Sequence, residues 1–169
     1  MNALGRIAEY EASVKPTLIT WLLRRVGRTR AFAWFYRQFG PRLDRFLMRR
    51  TGLVGQLYGL PALLISTTGA KSGQPRTQPL LYLRDGEDFL VLGTNFGQQH
   101  HPAWTANLLA HPSAAVEIAG VRVEVRGELV EGEEWQRRFE RFAAMYPGYR
   151  DYLQRCGDRV PRMFRLRPT

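Results

Sequence analysis

The apolar positions change their period near residue 60, and that change divides the chain. Before it, Leu18, Leu22 and Val26 recur at i, i+4 and i+8, with Ile19 and Leu23 beside them, as one face of a helix requires. Phe32, Phe35, Tyr36 and Phe39 follow at i, i+3, i+4 and i+7 until Gly40-Pro41 breaks the run; Leu43, Phe46 and Leu47 then resume an apolar stripe. This pattern predicts helix over 17–50, in pieces. After Pro61 the period is that of strands. Leu63–Thr68, Thr77–Arg84 and Asp88–Thr94 read as strands, with Asp85-Gly86 as a hairpin turn between the last two. Pro102–Ala110 reads as a short helix with Pro102 in its first turn. Ala114–Ala119 and Val121–Val130 form a second hairpin around Gly120. There Val121, Val123 and Val125 alternate with Arg122, Glu124 and Arg126, the mark of a strand with one wet face. Glu133–Tyr146 reads as helix, Pro147-Gly148 as a break, Tyr149–Arg155 as a short helix and Val160–Leu166 as a last strand. Five or six antiparallel strands interrupted by helices predict a small barrel in a mainly β, α+β fold. The chain divides into a basic helical segment, 1–60, and a barrel domain, 61–169.

Composition narrows the class. A chain of 169 residues with 44% hydrophobic and 24% charged residues is one globular domain's worth of core. The single cysteine, Cys156, cannot close an internal disulfide, which fits a reducing, cytoplasmic compartment. The N-terminus has no secretory signal pattern, and no apolar run approaches the roughly 18 residues of a spanning helix. A soluble protein or one lying on a membrane surface is expected.

The net charge of +10 is unevenly placed: residues 1–60 hold 11 of the 25 Lys and Arg but only 3 of the 15 Asp and Glu. Arg24, Arg25, Arg28, Arg37, Arg42, Arg45 and Arg49 flank the apolar stripe. An interfacial helix on anionic lipid at the inner face of the cell membrane has this build. So does a helix that packs on the barrel with a solvated basic face. Nucleic acid is not expected, because the arginines follow an amphipathic helix without a recognition fold or a strand-borne stacking motif.

Three constellations carry candidate chemistry. Between the first two strands runs Thr68-Gly69-Ala70-Lys71-Ser72-Gly73-Gln74-Pro75-Arg76. Two glycines free its backbone to turn and present N–H groups, while Lys71, Ser72 and Arg76 add cationic and hydroxyl donors, a cradle for an anion. A polar hairpin with incidental charges is the plainer alternative. Lys71 is one of only two lysines, so it is not part of a lysine-rich coat. Ala70 stands where a Walker motif needs glycine. The second constellation is Gly93-Thr94-Asn95-Phe96-Gly97, continuing through His100-His101-Pro102 to Trp104 and Asn107. A flat ligand can lie against such a strand end, its polar edge on the amides that open the next helix; a strand–loop–helix connection with a core tryptophan also accounts for it. His100, His101 and His111 lack a carboxylate or thiol at usable spacing, so no metal is expected. The third is Tyr146-Pro147-Gly148-Tyr149 with Tyr152, whose phenols offer apolar faces and hydroxyls to a planar substrate, or simply fill a core. No nucleophile elbow, His-Glu-x-x-His or dinucleotide fingerprint is present.

The order Thr-Thr-Gly-x-Lys-Ser-Gly-x-Pro-Arg, then His-Pro-x-Trp-x-x-Asn-Leu, then Tyr-Pro-Gly-Tyr-x-x-Tyr resembles the deazaflavin-dependent nitroreductases, over residues 61–167. The resemblance implies a split β-barrel that binds coenzyme F420, an 8-hydroxy-5-deazaflavin whose tail carries a phosphate and glutamates. It implies that Ala70, Lys71, Ser72, Arg76, Thr77 and Gln78 hold the tail and the start of the ring site, with Pro79, Leu80 and Leu81 continuing along the strand. Leu92, Gly93, Thr94 and Asn95, with Ala103, Trp104, Thr105, Ala106 and Asn107, would line the deazaflavin and its linker. Tyr149 would close the pocket and is the candidate catalytic group; Trp104, Tyr146, Tyr149 and Tyr152 would form the substrate pocket. Two departures from the family's pattern are Thr-Asn-Phe within Gly93–His101, where members often carry small or basic residues, and Leu81, where some place a polar aromatic. The implied reaction is hydride transfer from reduced F420 to a small conjugated acceptor, a quinone or enone, with nitroaromatics as side substrates. The alternatives are an FMN-dependent flavin reductase or pyridoxamine-oxidase-like enzyme, and a non-catalytic F420- or lipid-binding protein.

Overall fold

The computed structural model describes residues 2–26, 29 and 59–169. Its centre is a closed barrel of six antiparallel strands: β1 (Ala62–Thr68), β2 (Pro75–Asp85), β3 (Asp88–Gly93), β4 (Ser113–Ile118), β5 (Val121–Val130) and β6 (Arg162–Pro168). Around the barrel the order is β1-β2-β3-β6-β5-β4, and β4 pairs back onto β1, for example Ile65 with Val116. Closure leaves no unpaired strand edge. The mainly β, α+β fold expected from the strand period is thus the one observed.

Strand alternation sorts the side chains into two clusters. On β3, Phe89 and Val91 point into the barrel, where they join Leu63, Ile65, Tyr82 and Val116. Leu90 and Leu92 point outward, into a layer completed by Phe139, Phe142 and Met163. The Val121, Val123 and Val125 face of β5 packs inward as expected, and Arg122, Glu124 and Arg126 are exposed. Burial of each large core side chain contributes roughly 1.5–3 kcal/mol, which is what holds a small barrel together.

Among the described residues five α-helices decorate this frame: α1 (Ala3–Ser13), α2 (Leu18–Val26), α3 (Ala103–Ala110), α4 (Gly132–Met145) and α5 (Gly148–Arg155). The sequence pattern did not disclose α1. Asn2 caps it by accepting from the Gly5 N–H at 2.8 Å, and its Ile7 and Tyr10 enter the barrel cluster. The Tyr82 hydroxyl ties it down further by donating to Glu11 at 2.8 Å. Of the helix expected over 17–50, Leu18–Val26 is observed; the Phe32–Leu47 stripes lie outside the described residues. α3 also sends residues into the barrel, Trp104 and Leu108. α4 and α5 cover the outer face of β3 and β6, and α4 is pinned to the β2–β3 turn by Asp85, which accepts from Arg138 at 2.6 Å and Arg141 at 2.7 Å.

Most element boundaries shift from expectation by one or two residues, β2 for instance starting at Pro75 and not Thr77, and two of the shifts have a clear cause. Pro102 does not start the helix but precedes it with extended backbone (ψ 144°), so the first turn begins at Ala103. The last strand begins at Arg162 and not at Val160, because its pairing with β3 starts at Arg162 opposite Gly93.

Candidate functional site

Antiparallel registry brings the ends of β1 and β3 and the starts of β2 and β6 to the same end of the barrel. All three sequence constellations gather there, and specific contacts join them. Asn107, buried on α3, makes the first link: its Oδ1 accepts from the Ala70 N–H at 2.9 Å and its Nδ2 donates to the Thr67 hydroxyl at 2.9 Å. The β1–β2 loop and α3 are therefore one rigid unit. The loop is closed on itself by Gly69 N–H to Gln74 O at 2.9 Å and Gly73 N–H to Gly69 O at 2.8 Å.

Lys71 and Ser72 project from this loop and Arg76 from the start of β2, and all three are exposed. Neither Lys71 nor Arg76 has an ion pair among the described residues, although most other arginines of the barrel and α4 do. Downstream, Ser66 and Thr77 share a hydroxyl–hydroxyl bond at 2.8 Å across β1 and β2. Thr77, Gln78, Pro79, Leu80 and Leu81 are all half-buried, with Leu80 against the barrel cluster and Leu81 against the outer one.

The second link runs from α3 to the end of β3. A Cβ on Gly93 would come within 2.8 Å of the Thr105 methyl and 3.2 Å of the Arg162 carbonyl, so this close approach needs glycine. Thr105 turns its hydroxyl to the Pro102 carbonyl at 2.8 Å, and Ala103 and Ala106 are exposed. Beyond Gly93 and the buried Thr94, Asn95 and Phe96 both take left-handed backbone (φ 50° and 55°). Asparagine tolerates that region; for phenylalanine it is a strained conformation that its surroundings must hold.

Arg159, in the α5–β6 connection, is what holds it. Its guanidinium donates to the carbonyls of Gly93 (3.1 Å), Thr94 (2.7 Å) and Gln98 (2.7 Å), and contacts His101 Nδ1 at 3.3 Å and Cys156 Sγ at 2.9 Å. Burial, with Arg162 and Arg159 alongside, lowers the His101 pKa, which leaves that imidazole neutral at pH 7. Sequence reasoning passed over Arg159, since nothing in its neighbours signals that three distant carbonyls converge on it.

The third link joins this loop to the tyrosines. The Phe96 ring meets Tyr152 edge-on at 5.8 Å. Tyr146, Tyr149 and Tyr152 pack as a cluster, with Tyr149 perpendicular to Phe142 at 5.5 Å and to Tyr146 at 5.6 Å, and the Tyr146 and Tyr152 hydroxyls 3.4 Å apart. Burial, then the neighbouring Tyr146, pushes the Tyr149 phenol above its ordinary range and keeps it neutral. Trp104 is not among these tyrosines. It sits in the barrel cluster beside Phe164 at 5.7 Å, whereas the tyrosines and Leu92 belong to the outer layer.

The family described as F420H(2)-dependent quinone reductase matches residues 28–164. The chain belongs to that family. The F420H(2)-dependent quinone reductase family makes it an F420-dependent oxidoreductase, and the match gives the FMN alternative no support. Over 134 residues it is 32% identical to the F420H(2)-dependent quinone reductase Rv1261c of Mycobacterium tuberculosis (strain ATCC 25618 / H37Rv), covering 72% of this chain and 90% of that one. The solved structure of an F420-H2 dependent reductase (FDR-A) superposes with a TM-score of 0.57 at 29% identity, covering 63% of this chain and 93% of that chain. A solved domain-swapped dimer superposes with a TM-score of 0.59 at 27% identity, covering 79% and 96%.

Proposed function

We propose that this family member binds reduced F420 with its anionic tail on the Lys71–Arg76 loop and delivers a hydride to a quinone. The observation that carries the reading is the pair of exposed cations, Lys71 and Arg76, without carboxylate partners among the described residues, on a loop fixed to α3 through Ala70 and Asn107. Phosphate and glutamate groups suit that loop, which offers two charges and the Ser72 hydroxyl. When bound, F420H2 supplies a hydride, two electrons with one proton.

The protein's part is position and polarity. Leu92–Asn95 and the first turn of α3 offer a backbone edge for a flat ring, and Trp104 fixes α3 from inside the barrel. Tyr146, Tyr149 and Tyr152, packed as a buried cluster, form the aromatic floor under the acceptor. Tyr149, kept neutral, donates a hydrogen bond to the acceptor oxygen as negative charge develops there. Quinones and enones present such an oxygen conjugated to an electrophilic carbon; nitroaromatics are slower side substrates.

The test is oxidation of F420H2 by a soluble naphthoquinone, an enone and a nitroaromatic, followed by the return of deazaflavin absorbance. The quinone should turn over fastest. Tyr149→Phe keeps the ring, so coenzyme affinity should hold while kcat falls roughly 100-fold, the usual effect of removing one such donor. Unchanged turnover in Tyr149→Phe would end the assignment of Tyr149.

Contact with the inner membrane face forms part of the same reading, because many quinones are dissolved in lipid. Among the described residues no helix is long and apolar enough to cross a membrane. α2, however, leaves Leu18, Trp21 and Leu22 82%, 57% and 52% exposed, with Arg25 over the Trp21 ring at 5.5 Å. Apolar side chains with a flanking arginine suit an anionic interface. The protein should sediment with phosphatidylglycerol vesicles at low salt and stay in the supernatant with phosphatidylcholine ones. Trp21→Ser with Leu22→Ser should abolish sedimentation, and retention by that double variant would refute the contact.

A further inference from the structure

Next to the β3–β6 strand end lies an open pocket of about 480 Å³, lined by the end of β5, the first turn of α4 and the α5–β6 connection. None of the residues proposed above for coenzyme or acceptor lines it. We propose that it is a second small-molecule site, one that takes a planar, largely apolar compound carrying a single negative charge, of the aromatic carboxylate or sulfonate kind.

The apolar side of the pocket is a fixed flat wall. Trp135 stacks on Phe139 (centroids 5.0 Å, 7° between planes), and its indole N–H donates to the Pro161 carbonyl at 2.8 Å. An indole held on both counts prefers a flat partner. Val160 is 64% exposed and Leu129 37%, two large apolar side chains left wet around one concavity. The volume falls within the roughly 300–1,000 Å³ of small-molecule sites.

The charged side of the pocket is Arg162. It is half-buried and has no ion pair among the described residues; its one hydrogen bond, to the Thr105 hydroxyl, is long at 3.4 Å. Arg138, Arg141, Arg165 and Arg167 each have a carboxylate, and the half-buried Arg84 and Arg159 spend their guanidiniums on backbone carbonyls, whereas Arg162 has neither. A partly desolvated guanidinium without a counter-ion is best matched by an anionic ligand. His101 lines the same corner and offers a ring nitrogen for hydrogen bonding. Glu131 also lines the pocket and is exposed, which disfavours a ligand with several negative charges.

The probe is 1-anilinonaphthalene-8-sulfonate, an aromatic monoanion with a flat naphthalene ring, titrated into the full chain by fluorescence. Saturable one-site binding is expected. Val160→Trp should abolish it, since the larger ring fills the pocket from an exposed position, with an unchanged melting temperature as the check on folding. Arg162→Gln should weaken it about tenfold, and so should replacing the probe by uncharged N-phenyl-1-naphthylamine. Lys71→Ala should leave it unchanged, which separates this pocket from the coenzyme loop. The proposal is overturned if a folded Val160→Trp binds the probe like the wild type, if Lys71→Ala removes binding, or if the neutral probe binds as well as the charged one.

Discussion

Replacing Arg159 by alanine is expected to lower the melting temperature by about 6–20 °C and to weaken F420 binding at least tenfold. The wild-type guanidinium satisfies the carbonyls of Gly93, Thr94 and Gln98, and Thr94 is almost wholly buried. Without it those acceptors lose their partner, at roughly 1–3 kcal/mol for each one left dry, so a total of about 3–5 kcal/mol is reasonable. That is a large part of the stability of a domain this size, typically about 5–15 kcal/mol. The effect should be local as well as global, because the same guanidinium restrains Asn95 and Phe96 in left-handed backbone. Once released, the strand end proposed for the ring edge takes other conformations. Arg159→Lys should recover little, since one ammonium cannot span three carbonyls as a planar fork does. Thermal unfolding and an F420 titration of both variants check this; an alanine variant that melts and binds like the wild type would remove Arg159 from the site.

Gly97→Ala is the second change with a large expected effect. Gly97 has φ 79°, and a Cβ there would stand 2.7 Å from the Arg155 Cβ and 3.0 Å from the Tyr152 carbonyl. Both partners are fixed, one being backbone and the other the root of a side chain on α5. Strain and overlap together should cost roughly 2–4 kcal/mol. The natural relief is movement of α5 away from the loop, which carries Tyr149 and Tyr152 with it. A drop in kcat exceeding the loss of coenzyme affinity is therefore expected, alongside a lower melting temperature. Gly120→Ala makes a useful comparison: it has the same sign of φ (75°) but nothing within 4 Å of its Cβ, so only the backbone strain should register. Equal losses in the two variants would show that packing against α5 is not what Gly97 serves.

How legible the molecule was in its sequence depended on the range of the interactions involved. Strand period and turn residues are local, and the β5 alternation of valine with charged residues translated directly into one buried and one wet face. The α1 helix was hidden because Leu4, Ile7, Tyr10 and Val14 form only a short stripe among alanine and glutamate. That stripe becomes meaningful once a barrel exists to receive Ile7 and Tyr10. The three site motifs could be recognised by their order, but not how they meet. Asn107 looked like a lining residue, whereas its side chain is engaged in joining α3 to Ala70 and Thr67. In the sequence Trp104 is a natural companion for the tyrosines; in the fold, alternation along β6 sends Phe164 inward with Trp104 and Met163 outward with Tyr149. Arg159 could not be foreseen, because backbone carbonyls leave no mark in a sequence.

The central claim is that the Lys71–Arg76 loop grips the anionic tail of F420. The most direct measurement is a fluorescence titration of the protein with F420, at two salt concentrations, for the wild type, Lys71→Ala and Arg76→Ala. Each lost charge-assisted contact should raise Kd about tenfold, and added salt should narrow the gap between wild type and variants. Melting temperatures should stay the same, since neither side chain has an ion pair to lose among the described residues. F420 binding that is equally tight in all three folded proteins would contradict the claim and place the tail elsewhere.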